Sequence, residues 1–98
     1  MTYSLIISTD AEEDIEQARE WYKSVGLGAD LEFARALDGC LARIVRYPEA
    51  YREVYRSARR AVLRRFPYQI IYTIFDDTVI VIACFHARRD PEEWKARV

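Results

Sequence analysis

Four arginines fall within seven residues of this 98-residue chain: Arg59 and Arg60 precede Ala61-Val62-Leu63, and Arg64 and Arg65 follow it. Guanidinium groups carry planar, permanently charged donors that match carboxylate and phosphate oxygens. Two such pairs on a strand-like apolar core predict a surface that meets something acidic. The only histidine, His86, ends a later apolar run and is followed by Arg88 and Arg89. Histidine is the side chain suited to moving a proton near neutral pH. If Arg60, Arg64 and Tyr72 lie nearby across a sheet, His86 could serve phosphodiester cleavage, with the arginines stabilising charge on phosphorus. The competing reading makes His86 a strand-end residue bonded to a carboxylate such as Asp90. The second reading is favoured, because there is no second histidine and no carboxylate obviously paired with His86 as a base.

The arginines also have two readings. Strand alternation puts Arg59 and Arg65 on the side of Ala61 and Leu63, and Arg60 and Arg64 on the side of Val62. Burying a guanidinium without a partner is costly, so some arginines should pair internally, with acids of the first helix, and others should remain for a partner. Tyr47, Tyr51 and Tyr55 recur every four residues beside Arg46, Arg52 and Arg56. Such interleaving can stack RNA bases, but structural packing is the favoured reading. Trp21 and Trp94 are expected to pack, with Trp94 also able to anchor the tail or an interface.

Other chemistries find no support. There is no Gly-rich phosphate loop, nucleophile elbow, His-Glu-x-x-His or EF-hand loop, so neither cofactor nor metal is expected. Cys40 and Cys84 form no Cys-x-x-Cys pair and are expected to be small core residues.

The length suits one domain, residues 1–98, with one core, and a 51% hydrophobic composition is ample to pack it. The net charge of -1 hides an asymmetry. Residues 1–38 hold nine acids and three bases, whereas residues 39–98 hold seven acids and twelve bases. A chain that grips nucleic acid is usually basic throughout; here the positive region is local, suited to an acidic protein segment or a restricted phosphate contact. No apolar run approaches a membrane span of ~18 residues, and the start lacks the order of a secretion signal. A cytoplasmic location is expected.

The elements that must position these residues follow from periodicity. Tyr3–Ser8 predicts a strand. Thr9 and Asp10 offer caps for a helix whose stripe is Ala11, Ile15, Ala18, Tyr22 and Val25. Asp14 is one of its early acids, suited to the positive helix end. Gly26 stops it. A second helix starts near Gly28–Asp30, runs on Phe33, Leu37, Leu41 and Ile44, widened by Ala36 and Cys40, and stops by Tyr47 ahead of Pro48. The short connection makes an antiparallel hairpin. Tyr51–Arg56 reads as loop entering a strand. Strands are then predicted over Arg59–Phe66, Tyr68–Phe75 and Thr78–His86, the last two joined at Asp76-Asp77. Asp90 and Pro91 open a short terminal helix.

The predicted fold class is therefore α+β: an N-terminal strand, a helix hairpin on one face of a mainly antiparallel sheet, and a short C-terminal helix. The strands Tyr68–Phe75 and Thr78–His86 are apolar on both faces, as in sheets covered on two sides. The hairpin covers only one. A second polypeptide is the favoured cover for the other, with the tail or loops as the alternative. Any apolar surface left open also allows a homodimer.

Several spans resemble a known family. They are Ala11-Glu12-Glu13-Asp14-Ile15 with Trp21-Tyr22; Gly26-Leu27-Gly28 with Phe33 and Leu37-Asp38; Ile44 to Pro48; Arg59 through Phe66-Pro67-Tyr68; and His86-Ala87-Arg88-Arg89-Asp90-Pro91 with Trp94. Over almost its whole length the chain resembles a RelE/ParE-superfamily toxin of type II toxin–antitoxin modules, closer to the ParE branch. The resemblance implies a helical hairpin on an antiparallel sheet and a cognate antitoxin that wraps and neutralises the toxin in a hetero-oligomer. ParE-like toxins poison DNA gyrase; RelE-like relatives cut messenger RNA on the ribosome. By the ribonuclease pattern Arg60, Arg64, Tyr72 and His86 are the catalytic candidates. Mild acidity and the lack of a catalytic-looking tyrosine after His86 favour the gyrase branch. The expected partner-binding set is Arg59, Arg60, Arg64, Arg65, Tyr72, His86, Arg88, Arg89 and Trp94.

Overall fold

Helix α1 (Thr9–Val25) is capped by Ser8, whose hydroxyl accepts the Ala11 N–H at 3.1 Å. Thr9 and Asp10 were the predicted caps. Both instead lie inside the first turn, because β1 (Ser4–Ile7) ends one residue earlier than predicted and leaves Ser8 extended. Gly26 closes the helix with φ +84°, a region open to glycine. Its N–H bonds to the Tyr22 and Lys23 carbonyls. Helix α2 (Ala29–Arg46) buries the predicted stripe of Phe33, Leu37, Cys40, Leu41 and Ile44. It ends at Tyr47, and Pro48–Ala50 adds one 3-10 turn. The computed structural model describes residues 2–98.

The strands that follow are β2 (Glu53–Tyr55), β3 (Ala58–Val62), β4 (Tyr68–Phe75) and β5 (Thr78–His86). They form one sheet in the order β1-β5-β4-β3-β2, antiparallel throughout except that β1 runs parallel to β5. Strand β3 is shorter than the predicted Arg59–Phe66. Pro67 has no N–H to give the ladder, and reversal into β4 uses Arg64 to Pro67 as a turn, with Arg65 at φ +68°.

Strict alternation along β5 also fails, for an instructive reason. Ile71 pairs with Ala83, but the next residue, Tyr72, pairs with Val81, so Ile82 is an extra residue bulged out of the ladder. The bulge reverses the parity of β5. Val79, Val81 and Cys84 therefore face the helices, together with Ile70, Tyr72 and Ala61. Ala83 and Phe85 face the other way, with Ile82, Ile71 and Ala58.

That opposite face was expected to await a partner chain. Much of it is covered by the protein's own tail. Helix α3 (Pro91–Lys95) starts at Asp90, whose carboxylate accepts the Glu92 N–H at 3.0 Å. It brings Trp94, only 4% exposed, onto Ile71, Ala83 and Phe85. The rest stays open: Ile6 and Val62 are exposed, and Phe75 is 70% exposed.

Asp14 ties these layers together. Where β1 stops, β5 loses its outer neighbour. Asp14 Oδ2 accepts the Cys84 N–H at 3.0 Å, and Arg97 donates to the Ile82 carbonyl at 2.9 Å. The two side chains also bond to each other at 2.6 and 3.2 Å. Asp14 thus sits buried in a charged latch between α1, the bulge and the tail, rather than serving only the helix end.

Candidate partner interface

The turn between β3 and β4 is fixed to the end of β5. Leu63 donates its N–H to the Tyr68 carbonyl at 3.0 Å, and Ala87 donates to the Pro67 carbonyl at 2.7 Å. Tyr68 and His86 are cross-strand partners whose rings meet edge to face at 5.3 Å. Beneath the turn, Phe66 makes edge contacts with Tyr22 at 5.0 Å and Phe33 at 5.5 Å. This aromatic base is rigid because each ring is held by two or more others. Burial pushes the Tyr22 and Tyr68 phenols up, which keeps both neutral.

Arg64, Arg65, His86 and Arg88 therefore all lie toward the same end of the sheet. Arg64, Arg65 and Arg88 are exposed, and none makes an ion pair among the described residues. His86 does not bond to Asp90, which is occupied as the α3 cap. Its Nδ1 instead accepts the Arg88 N–H at 3.0 Å. That bond needs Nδ1 without a proton. Arg89 lies close by but is engaged internally: it pairs with Glu93 at 2.9 Å and sits 3.7 Å from the Phe85 ring centre.

The remaining candidates are elsewhere. Arg59 is used inside the chain, donating to the Tyr51 carbonyl at 2.6 Å and the Glu49 carbonyl at 3.1 Å, with Glu53 at 3.4 Å. Its partners come from the neighbouring turn and strand, whereas acids of the first helix were predicted. Arg60 is exposed on the opposite face of the sheet, paired with Ile71. Tyr72 is 0% exposed and donates its hydroxyl to the Pro48 carbonyl at 2.5 Å. Desolvation pushes its phenol well up, outweighing the opposing pull of Arg59. Trp94 belongs to the tail-covered core. The four ribonuclease candidates are thus dispersed: Arg64 and His86 share one end, Arg60 occupies the other face, and Tyr72 is enclosed.

Trp21 was expected to pack and instead stands 60% exposed. With Tyr22, Pro67, Tyr68 and His86 it walls an open groove of about 500 Å³. No spacing signal set it apart from the Ala11–Ile15–Ala18–Tyr22–Val25 stripe: Trp21 lies three residues after Ala18 and four before Val25, yet it stands exposed near the end of α1. Val25, placed on that stripe, is also exposed, because it is the last residue before the Gly26 stop. Of the three spaced tyrosines, Tyr51 packs edge-on to Tyr72 and Tyr55 to Trp94, while Tyr47 is exposed beside Arg46. Both cysteines are buried, and burial pushes the Cys84 thiol up to about 12. No cluster of metal-ligating residues occurs among the described residues, and no helix among them is long and apolar enough to cross a membrane. The arrangement can seat an apolar or aromatic side chain beside a ring and several unpaired cations.

Comparison with known proteins places these features. The family model of the ParE toxin of the type II toxin–antitoxin system parDE matches residues 5–91. Toxin ParE2 of two Mycobacterium tuberculosis strains is 24% identical over 99 aligned positions, spanning 100% of this chain and 94% of theirs. A chain of the chromosomal ParDE TA system from P. aeruginosa superposes with a TM-score of 0.74 at 13% identity, covering 87% of this chain and 96% of that one. A mutant of the E. coli toxin RelE in the free state gives 0.58 at 20% identity, covering 98% and 93%.

Proposed function

Since the chain belongs to the ParE toxin family of type II toxin–antitoxin systems, we propose that it arrests growth by binding and poisoning DNA gyrase. In this reading it acts in the cytoplasm as one toxin domain, and a cognate antitoxin neutralises it by occupying its exposed surface. The observation that carries binding over cleavage is the dispersal of Arg60, Arg64, Tyr72 and His86. General acid–base chemistry needs its groups within hydrogen-bond reach of one reacting centre. Tyr72, enclosed and bonded to Pro48, cannot reach a phosphodiester that His86 also touches without unpacking the core. An antitoxin has surface to cover, in the open part of the sheet and at the arginine-rich end.

Ribosome-dependent cleavage of messenger RNA is the second reading, and the placement of Arg64 and His86 at the same end of the sheet speaks for it. Induced expression without antitoxin, followed by transcript end mapping, separates the two. Growth should stop, resume on antitoxin co-expression, and leave transcripts with unchanged ends. New ends that disappear in His86→Ala would favour the nuclease. Undisturbed growth at high expression would remove both.

A further inference from the structure

Consecutive residues Phe66 and Pro67 wall two different grooves. On the Pro67 side lies the aromatic groove of Trp21, Tyr68 and His86. On the Phe66 side, Glu32, Arg35, Ala36, Arg64, Arg65 and Phe66 enclose a second groove of about 360 Å³. Arg35 comes from α2, a different element from the arginine-rich turn, so the convergence is a product of folding. No carboxylate lies within ion-pair distance of Arg35, Arg64 or Arg65 among the described residues. Glu32 is the single acid lining that groove against three cations.

We propose that the two grooves form one docking site for a segment of the antitoxin that carries an acidic residue close to an apolar or aromatic one. The carboxylate enters between Arg35, Arg64 and Arg65, and the apolar side chain lies against Trp21 and His86. Guanidinium forks recognise carboxylates through paired donors. An exposed tryptophan beside a preformed groove is the residue type that anchors protein interfaces. The aromatic base of Tyr22, Phe33 and Phe66 keeps the dividing turn rigid, so docking costs little reordering. A nucleic-acid backbone fits this surface less well. It presents a charge every few ångströms along its length, whereas the cations here are confined to one groove, and the hollow on the helix hairpin mixes Glu16, Glu20 and Asp30 with Arg19 and Lys23. A peptide bringing one or two negative charges matches so restricted a cationic patch.

The proposal rests on the reading of the chain as an antitoxin-controlled toxin, and its test separates the two. The antitoxin of the same module is titrated by fluorescence anisotropy against wild type, the groove variant Arg35→Glu/Arg64→Glu/Arg65→Glu, and Trp21→Ala. A control variant, Arg46→Glu/Arg52→Glu/Arg56→Glu, makes the same change in net charge at exposed positions outside both grooves. The groove variant is expected to bind about a hundredfold more weakly and Trp21→Ala about tenfold more weakly. The control should stay within about threefold of wild type. All are checked for native circular dichroism. Equal losses in the two triple variants, or undiminished affinity of Trp21→Ala, overturn the docking site while leaving the toxin reading intact. A short DNA duplex that binds wild type and control but not the groove variant assigns the arginines to phosphate and also overturns it. If wild type fails to bind antitoxin at all, the functional reading falls and takes this site with it.

Discussion

Tyr72 and Cys84 show how burial, rather than residue type, decides what a side chain can do. Tyr72 was a candidate for chemistry, and His86 is its counterpart at the surface; only the latter can meet a ligand. These two buried acids, together with Cys40, whose thiol burial also pushes up, make the fold sensitive to alkali. Each has its proton-release point raised by desolvation, Cys84 to about 12 and Tyr72 well above the ordinary phenol range. The unfolded chain releases these protons near the ordinary values of ~8.5 and ~10. Above those values the unfolded state therefore binds fewer protons than the folded one, and stability falls as pH rises. Urea unfolding is expected to show full stability from these groups at pH 8, then a decline that begins with the cysteines and steepens past pH ~10 as the unfolded tyrosine ionises. Replacing Tyr72 with Phe should cost about 1 kcal/mol at pH 8 through the lost bond to Pro48. It should also flatten the upper part of the decline. A pH-independent midpoint between 8 and 11 would contradict the assignment.

At the level of elements, the bulge at Ile82 and the tail behave as one device. The bulge turns Ala83 and Phe85 outward, and Trp94 covers them. Substituting Trp94 with Ala should cost about 3–5 kcal/mol, the usual range for emptying a large aromatic site. Trp94→Phe should cost less than about 1.5 kcal/mol, because the indole N–H has no hydrogen-bond partner and its removal relieves a buried donor. Asp14→Ala should cost about 3 kcal/mol by stranding Arg97 and the Cys84 N–H. Equilibrium unfolding reads all three; equal stability of Trp94→Phe and Trp94→Ala would contradict the packing. Much of this architecture was legible in the chain. The helix stripe of Phe33, Leu37, Leu41 and Ile44, the strands Tyr68–Phe75 and Thr78–His86, and the Asp90–Pro91 helix start all carry strong local signals. The bulge was not legible, since one extra residue in a uniformly apolar run leaves no compositional mark. Ser8 as cap was hidden by the adjacent Thr9 and Asp10, which have the same preference. Asp14 was readable in hindsight: it lies three residues after Ala11 and four before Ala18, which places a carboxylate on the buried stripe. The Arg35 contribution to the turn could not be found locally, because only the packing of α2 against the sheet brings it there.

Across the whole molecule, charge is divided along the chain and partly re-united by folding. Arg59, Arg89 and Arg97 are consumed by internal partners, while Arg60, Arg64, Arg65 and Arg88 face solvent on a chain whose net charge is only -1. A local cationic surface on a nearly neutral protein favours selective contact with another protein over general attraction to nucleic acid. The membership of the chain in the ParE toxin family fits that balance. The proposed poisoning of gyrase under antitoxin control can be read out in supercoiling of relaxed plasmid by purified gyrase, titrated with toxin and then with antitoxin. Supercoiling should be lost as toxin is added and restored once antitoxin matches it mole for mole. Unimpaired supercoiling at saturating, correctly folded toxin would rule out gyrase as the target.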